Sequence, residues 1–374
     1  MKFRIVRGGE SVIRTVLLGV SVTLIGGAIT VSHAQIPPAP PKSPATPTTP
    51  QKPDARTEPS TTPTTPEAPE APIVPGLGKL TLFQTLKGQE STPTALIFSP
   101  DSQFVLSGGD FTDPLLRIWS VKTGAKVAET RAQRSAVRSL VMSPSEKLLV
   151  SSGEDGFINF WNPIDGKYLG VALGHENMIL ALTLSPDGKT LISGGLDGIR
   201  LWTVKPPRRP LYRLNWVGNV VYSLAVKSDG VTLASGHETG EVNFWNIREG
   251  RFLSKFRAHP QGVSGVVFTP DGQKLITASL DRTLKIWDAN TRKLLFTLRG
   301  HTGPVRSISL HPNGQILASA SNDGVRLWDV NTGRQLAWFD NDSDWIESVA
   351  FSPDGNYLAS GSYNFQIRVW QFVQ

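Results

Sequence analysis

An all-β fold, a seven-bladed β-propeller closed by an N-terminal strand that completes the last blade, is predicted by three observations in this sequence of 374 residues. First, Trp119, Trp161, Trp202, Trp245, Trp287, Trp328 and Trp370 each close a β-like run, at intervals of 42, 41, 43, 42, 41 and 42 residues. Second, a tight-turn marker keeps the same period: Ser99-Pro100-Asp101, Ser143-Pro144-Ser145, Ser185-Pro186-Asp187-Gly188, Lys227-Ser228-Asp229-Gly230, Thr269-Pro270-Asp271-Gly272, His311-Pro312-Asn313-Gly314 and Ser352-Pro353-Asp354-Gly355. A period of ~40–45 residues is that of propeller blades. Third, no stretch sustains a helical hydrophobic period.

The chain divides into three segments. Residues 1–34 read as a signal peptide. Lys2, Arg4, Arg7 and Arg14 stand against Glu10, Thr15 to Val31 carries no charge, and Ser32-His33-Ala34 supplies the small residues of a cleavage site. The uncharged run is 17 residues, at the short end for a membrane span of ~20. The expected location is therefore outside the cytoplasm, periplasmic or extracellular, with a membrane anchor facing outward as the alternative. Residues 35–78 read as a Pro/Thr-rich disordered linker. Fourteen of residues 36–75 are proline and none is aromatic, too little apolar surface to offset the entropy of ordering.

Residues 79–374 hold the repeats, each with four strand signals. In the fifth, Val263–Phe268 is apolar and β-branched, Pro270-Asp271-Gly272 is a turn, Lys274–Ala278 and Leu284–Trp287 are the second and third strands, and Lys293–Leu298 is the fourth. One such sheet cannot bury both its faces, whereas seven packed radially bury each other's. The last repeat ends on its third strand, at Val369-Trp370-Gln371-Phe372. Lys79 to Gly88 resembles the fourth strand of the fifth repeat, so Leu80–Leu86 is expected to pair there and cover an open edge.

These repeats resemble the WD-repeat β-propeller family. Gly174-His175, Ala258-His259 and Gly300-His301 match its Gly-His, and Trp287-Asp288 and Trp328-Asp329 its Trp-Asp. The resemblance implies buried hydrogen-bond networks of His175, Ser193, Asp197 and Trp202; of His259, Thr277, Asp281 and Trp287; and of His301, Ser319, Asp323 and Trp328. Gln89, Gln133 and Asn219 stand where the family has His, and Thr239 and Asn364 where it has Asp. Those blades are expected to lean more on apolar packing.

Composition excludes several functions. There is no cysteine, hence no disulfide, thiolate metal site or cysteine catalysis. A net charge of +7, with 39% hydrophobic and 18% charged residues, is no nucleic-acid stripe. No Gly-x-Ser-x-Gly elbow or His-Glu-x-x-His pair is present, and Gly188-Lys189-Thr190 belongs to a recurrent turn rather than a phosphate loop. His237 and His311 fall alone in turns. Asp340-Asn341-Asp342-Ser343-Asp344 alternates carboxylates as calcium loops do, but Trp345 and Phe351 stand where Gly and Glu are needed; a solvated loop is the expectation, and no metal or cofactor is assigned.

Recognition by the rim remains. In this family the start of each first strand, around the central channel, is a frequent contact; the equivalent positions are Thr94, Arg138, Leu180, Tyr222, Ser264, Arg306 and Glu347. Arg and Tyr are enriched at binding hot spots, which singles out Arg138, Tyr222 and Arg306, with Trp345 and Glu347 beside them. The opposite face is basic, with Arg208, Arg209, Arg248 and Arg251 among its turn residues. The expectation is a monomeric, non-catalytic scaffold for a protein partner. The alternatives are a tethered module that binds anionic polymer through the basic face, and an enzyme with a site built from loops at the channel mouth.

Overall fold

The structure, a computed structural model, describes residues 72–374 apart from 144, 146, 215–218 and 340–344, together with the backbone of three short strands near the N-terminus. It divides into residues 1–67 and 68–374. In the first unit Val16–Leu17, Val20–Ile25 and Ala28–His33 pair antiparallel in sequence order. The rest of the expected signal peptide, and the linker as far as residue 71, lie outside the described residues.

The second unit is seven antiparallel sheets. Blade 1 runs over Pro93–Phe98, Phe104–Gly109, Leu115–Ser120 and Lys126–Arg131. Blades 2 to 6 repeat the pattern, beginning at Val137, Ile179, Val221, Val263 and Ser307. Blade 5 comprises Val263–Phe268, Lys274–Ser279, Leu284–Asp288 and Leu294–Leu298, in the positions expected from its turns. The second strands are buried from their second residue onward, and Ile316–Ser321 throughout, because a neighbouring blade covers each face; small and apolar residues (Ile-Leu-Ala-Ser-Ala-Ser) fit that space. Outer strands face solvent on one side, and Arg251–Arg257 alternates exposed and half-buried residues with the period of two of a pleated strand.

The ring is closed. The first strands touch their neighbours in cyclic order from blade 1 through blade 7 and back to blade 1. Hydroxyls stitch these junctions: Thr94 donates to the Val137 carbonyl at 2.5 Å, Ser264 to Val305 at 2.6 Å, and Ser348 to Pro93 at 2.6 Å across the closure. Blade 7 comprises Ile346–Phe351, Tyr357–Ser362 and Ile367–Val373, and its fourth strand is Gly78–Leu86. Leu86 pairs with Ile367, Gln84 with Val369, and Leu80 with Phe372, so the expected clasp forms. The sheet begins earlier than Lys79, however. Ile73–Val74 adds a fifth strand through the pairs Ile73–Lys79 and Val74–Gly78. Val74 is fully buried beside Leu80 and Phe339, an apolar anchor that the proline-rich composition around it concealed.

Candidate functional site

In the three Gly-His blades one hydroxyl organises the network. Trp328 donates its indole N–H to Ser319 Oγ at 2.8 Å, and the Ser319 hydroxyl lies 2.7 Å from His301 Nε2. His301 Nδ1 stands 2.6 Å from the Asp323 carboxylate. With the ring proton on Nδ1, every donor meets an acceptor. The arrangement repeats at Trp202, Ser193, His175 and Asp197 (2.8, 2.6 and 2.5 Å) and at Trp287, Thr277, His259 and Asp281 (2.9, 2.8 and 2.9 Å). These hydrogen bonds hold the Asp281 carboxyl down at about 2 against the opposing pull of burial. Burial pushes the His301 imidazole below its ordinary range. Asp197 and Asp323 also cap the loops that lead into their blades, accepting from the Glu176 amide at 3.0 Å and the Thr302 amide at 3.1 Å; Pro260 offers Asp281 no such donor.

The blades without the full marker set, expected to lean more on apolar packing, nevertheless keep part of the network. In all seven, the tryptophan N–H reaches a hydroxyl on the second strand at 2.8–3.0 Å. Gln133 reaches Ser151 with its amide at 3.2 Å, and Ser107 donates to Gln89 at 3.0 Å; an amide spans the same gap as an imidazole. In blade 4, where Asn219 replaces the family's His, the imidazole comes from another place. His237 does not stand alone in a turn: it ends the strand Thr232–His237, is fully buried, and meets Ser235 at 2.8 Å. Burial drives its pKa down to about 4. His311 is also buried; it accepts from the Asn313 amide and bonds the Gly355 carbonyl of blade 7 at 3.1 Å. Arg117, Arg200 and Arg326 extend the networks by pairing with Asp113, Asp197 and Asp323 at 2.6–2.8 Å. Sequence reasoning missed them, although each stands two residues before the closing tryptophan.

At the channel mouth the predicted residues separate. Arg138 is committed to Glu154 through both Nε and Nη2. The Tyr222 ring packs against the backbone of Gly262, and burial raises its hydroxyl pKa. Arg306, Trp345 and Glu347 come together. Arg306 Nε is 3.5 Å from the Glu347 carboxylate, and its guanidinium lies 5.6 Å from the Trp345 ring. Burial pushes the Glu347 carboxyl up, opposed by Arg306 and then Arg138.

Two aromatics beside this trio were not singled out from sequence. Tyr363 and Phe365 sit on the turn between the second and third strands of blade 7, on the same face as Trp345. The Tyr363 and Trp345 rings are 6.0 Å apart, and the Tyr363 amide donates to the Trp345 carbonyl. Trp345, Tyr363 and Phe365 are 43%, 56% and 43% exposed. Phe365 has φ +67°, left-handed backbone that is costly for a bulky side chain. The same turn position holds Gly156 in blade 2 and Gly240 in blade 4, at φ +75° and +83°.

The opposite face is less free than its composition implies. Arg208 folds back, with its guanidinium 4.1 Å over the Phe160 ring and Nη1 donating to the Leu169 carbonyl at 3.1 Å. Desolvation lowers its pKa. Arg251 pairs with Glu249 at 3.0 Å. Arg209 and Arg248 are exposed. The acidic run Asp340, Asp342 and Asp344 lies outside the described residues. Among the described residues no cluster of His, Asp or Glu is placed to hold a metal ion, and no helix is long and apolar enough to cross a membrane.

Comparison with known proteins gives a consistent result. The family described as "WD domain, G-beta repeat" matches residues 80–120, 124–162, 166–202, 250–288, 292–329 and 333–371. The unmatched stretch 203–249 holds the first three strands of blade 4, where both Asn219 and Thr239 depart from the markers, yet all four strands of that blade are formed. The chain is similar to "Periodic tryptophan protein 2" of Arabidopsis thaliana, 37% identical over 82 residues, which are 22% of this chain and 9% of that protein. It is also similar to "Pre-mRNA-processing factor 19" of Bos taurus, 33% identical over 88 residues, 24% of this chain and 17% of that protein. An F-box/WD-40 repeat-containing protein of Arabidopsis thaliana is 29% identical over 90 residues, 24% of this chain and 16% of that protein. The chain thus spans between 9% and 17% of the length of these relatives.

Proposed function

The chain belongs to the WD domain, G-beta repeat family, and from that premise we propose that it is a non-catalytic scaffold whose protein partner docks on the aromatic corner of blade 7. Propellers of this family generally act as protein-interaction scaffolds. One observation carries the location. Phe365 is held at positive φ, half in solvent, where blades 2 and 4 use glycine and blade 5 the long, polar Arg282. Left-handed backbone costs a non-glycine residue ~1–2 kcal/mol, and this ring recovers little of that cost within its own fold. Trp345 and Tyr363 extend the apolar surface, and Arg306 and Glu347 supply charge beside it, the mixture found at binding hot spots. Enzymatic use of the Gly-His histidines is disfavoured by geometry, since both ring nitrogens of each are engaged by the structural networks. The leader and proline-rich segment support a position outside the cytoplasm, which cell fractionation reads directly.

The test is Phe365→Gly. It restores the residue that blades 2 and 4 carry, so the melting temperature is expected to hold or rise by a degree or two. Partner capture by the immobilised full chain is expected to fall by about tenfold, with Tyr363→Ser giving the same loss. Full capture by the Phe365→Gly, Tyr363→Ser double variant would remove blade 7 as the docking site.

A further inference from the structure

Two residues before each closing tryptophan stands Arg117, Asn159, Arg200, Asn243, Lys285, Arg326 or Arg368, in blades 1 to 7. In most blades this side chain lays a positive charge in the groove below the blade's entry loop. Arg200 reaches Asp197 at 2.7 Å and Arg326 reaches Asp323 at 2.8 Å. Lys285 donates to the Ala258 carbonyl at 2.6 Å, with its ammonium 5.5 Å from the Trp287 ring. Blade 4 has Asn243 instead, but its cross-strand partner is Lys255, paired with Glu241 at 2.8 Å. Blade 2 alone lacks a basic residue at both positions: Asn159 faces Val171.

A cavity of about 390 Å³ opens at this place in blade 2, within the size range of ligand pockets. Asn159 is too short to fill it and turns to the Ala132 carbonyl at 2.8 Å and Gln133 Oε1 at 2.7 Å. The walls include Trp161 and Tyr168, packed edge to face at 5.3 Å. Asp155 lines it too, in the sequence position of Asp197 and Asp323. Its carboxylate accepts from the Arg134 and Phe157 amides at 2.7 and 3.1 Å, but it has no arginine from its own blade. Arg131 and Arg134 also line the cavity and are exposed, with the Arg134 guanidinium 4.9 Å over the Phe157 ring.

We propose that this cavity receives the arginine or lysine side chain of a partner protein, with a carboxylate beside that residue meeting Arg131 and Arg134. Arg326 of blade 6 shows what fits: a guanidinium 4.8 Å over the Trp338 ring of the outer strand and 2.8 Å from the Asp323 carboxylate. The adjacent carboxylate follows from charge, because a lone cation would have to pass two guanidinium groups. The site is on a different blade from the aromatic corner and stands or falls separately from it.

The probe is N-acetyl-arginine, titrated into the full chain and followed through the NMR signals of the Asn159 side-chain amide and the Trp161 indole. Saturable shifts are expected. N-acetyl-citrulline, the same shape without charge, should bind about tenfold more weakly or not at all. The N-methylamide of N-acetyl-arginine, which lacks the carboxylate, should bind several-fold more weakly. Asn159→Arg places the fold's own guanidinium in the groove and is expected to abolish binding while the melting temperature holds or rises. Equal binding of the citrulline compound, no saturable shift up to tens of millimolar, or undiminished binding by Asn159→Arg would overturn the proposal. Equal binding of the N-methylamide would overturn the role given to Arg131 and Arg134.

Discussion

Ser319 shows how much one small side chain decides. Its hydroxyl serves Trp328 and His301 at once, and His301 in turn orders Asp323 and the loop amide of Thr302 at 3.1 Å. The same economy makes the protein sensitive to acid. His237 titrates near 4 when folded, against an ordinary 6.5. Between those values the unfolded chain takes up a proton that the folded chain refuses, so stability falls as pH drops from 6.5 toward 4 and this contribution is constant below that. The difference amounts to at most about 3 kcal/mol. The depressed aspartates add a second loss at lower pH. Asp281 stabilises the fold above its ordinary 3.8, and that contribution disappears as pH falls through about 2. His237→Ser, which installs the residue that Ser279, Ser321 and Ser362 provide in blades 5 to 7, is expected to lower stability at pH 7 but to flatten its slope between pH 6.5 and 4. Denaturant melts at half-unit pH steps would show it; a slope equal to wild type would discredit the assignment. The residue scale was partly legible. The Gly-His blades could be read because their markers keep fixed spacing, whereas His237 and the glutamines act in the same place from other positions or with other chemistry.

At the scale of the element, the N-terminal hairpin is the most demanding piece. Its turn carries Gly78 at φ +89°, where a Cβ would sit 2.2 Å from the Val373 carbonyl oxygen. Only glycine lets Ile73–Val74 fold back on the clasp while the clasp lies flat on the last strand. Gly78→Ala is therefore expected to cost about 2 kcal/mol or more, read as a fall in melting temperature with new hydrogen exchange in Gly78–Leu86 and Ile367–Val373. Unchanged protection of both strands would contradict the geometry. The clasp itself was legible, because Lys79 to Gly88 repeats the alternation of another fourth strand. The strand at Ile73–Val74 was not. Two residues are too short for a periodic signal, and the burial of Val74 depends on Leu80 and Phe339 being assembled around it.

Across the whole molecule, stability depends on closure. Each blade buries its second strand against two neighbours, and the hydroxyl bond from Ser348 to Pro93 joins the last blade to the first. Removing residues 73–86 would expose the backbone edge of Ile367–Val373 and uncover Trp370 and Phe372. Such an edge pairs with other chains, so this variant is expected to be insoluble or oligomeric, with a broadened melt in place of one cooperative transition. Light scattering and calorimetry would detect both; a monomer with the wild-type melt would show that the clasp is dispensable.

The sequence by itself determined the number of blades, the order of their strands, the closing strand and three of the hydrogen-bond networks, because each of these is a local pattern repeated at a constant interval. Tertiary structure alone decided which surface residues are free. Arg208 and Arg209 are neighbours in sequence, but the first spends its charge on the Leu169 carbonyl and the Phe160 ring while the second stays exposed. The cavity in blade 2 and the raised ring of Phe365 exist for the same reason. Whether a groove is filled, or a turn strained, depends on what packs across from it, and that partner lies tens of residues away or on another blade.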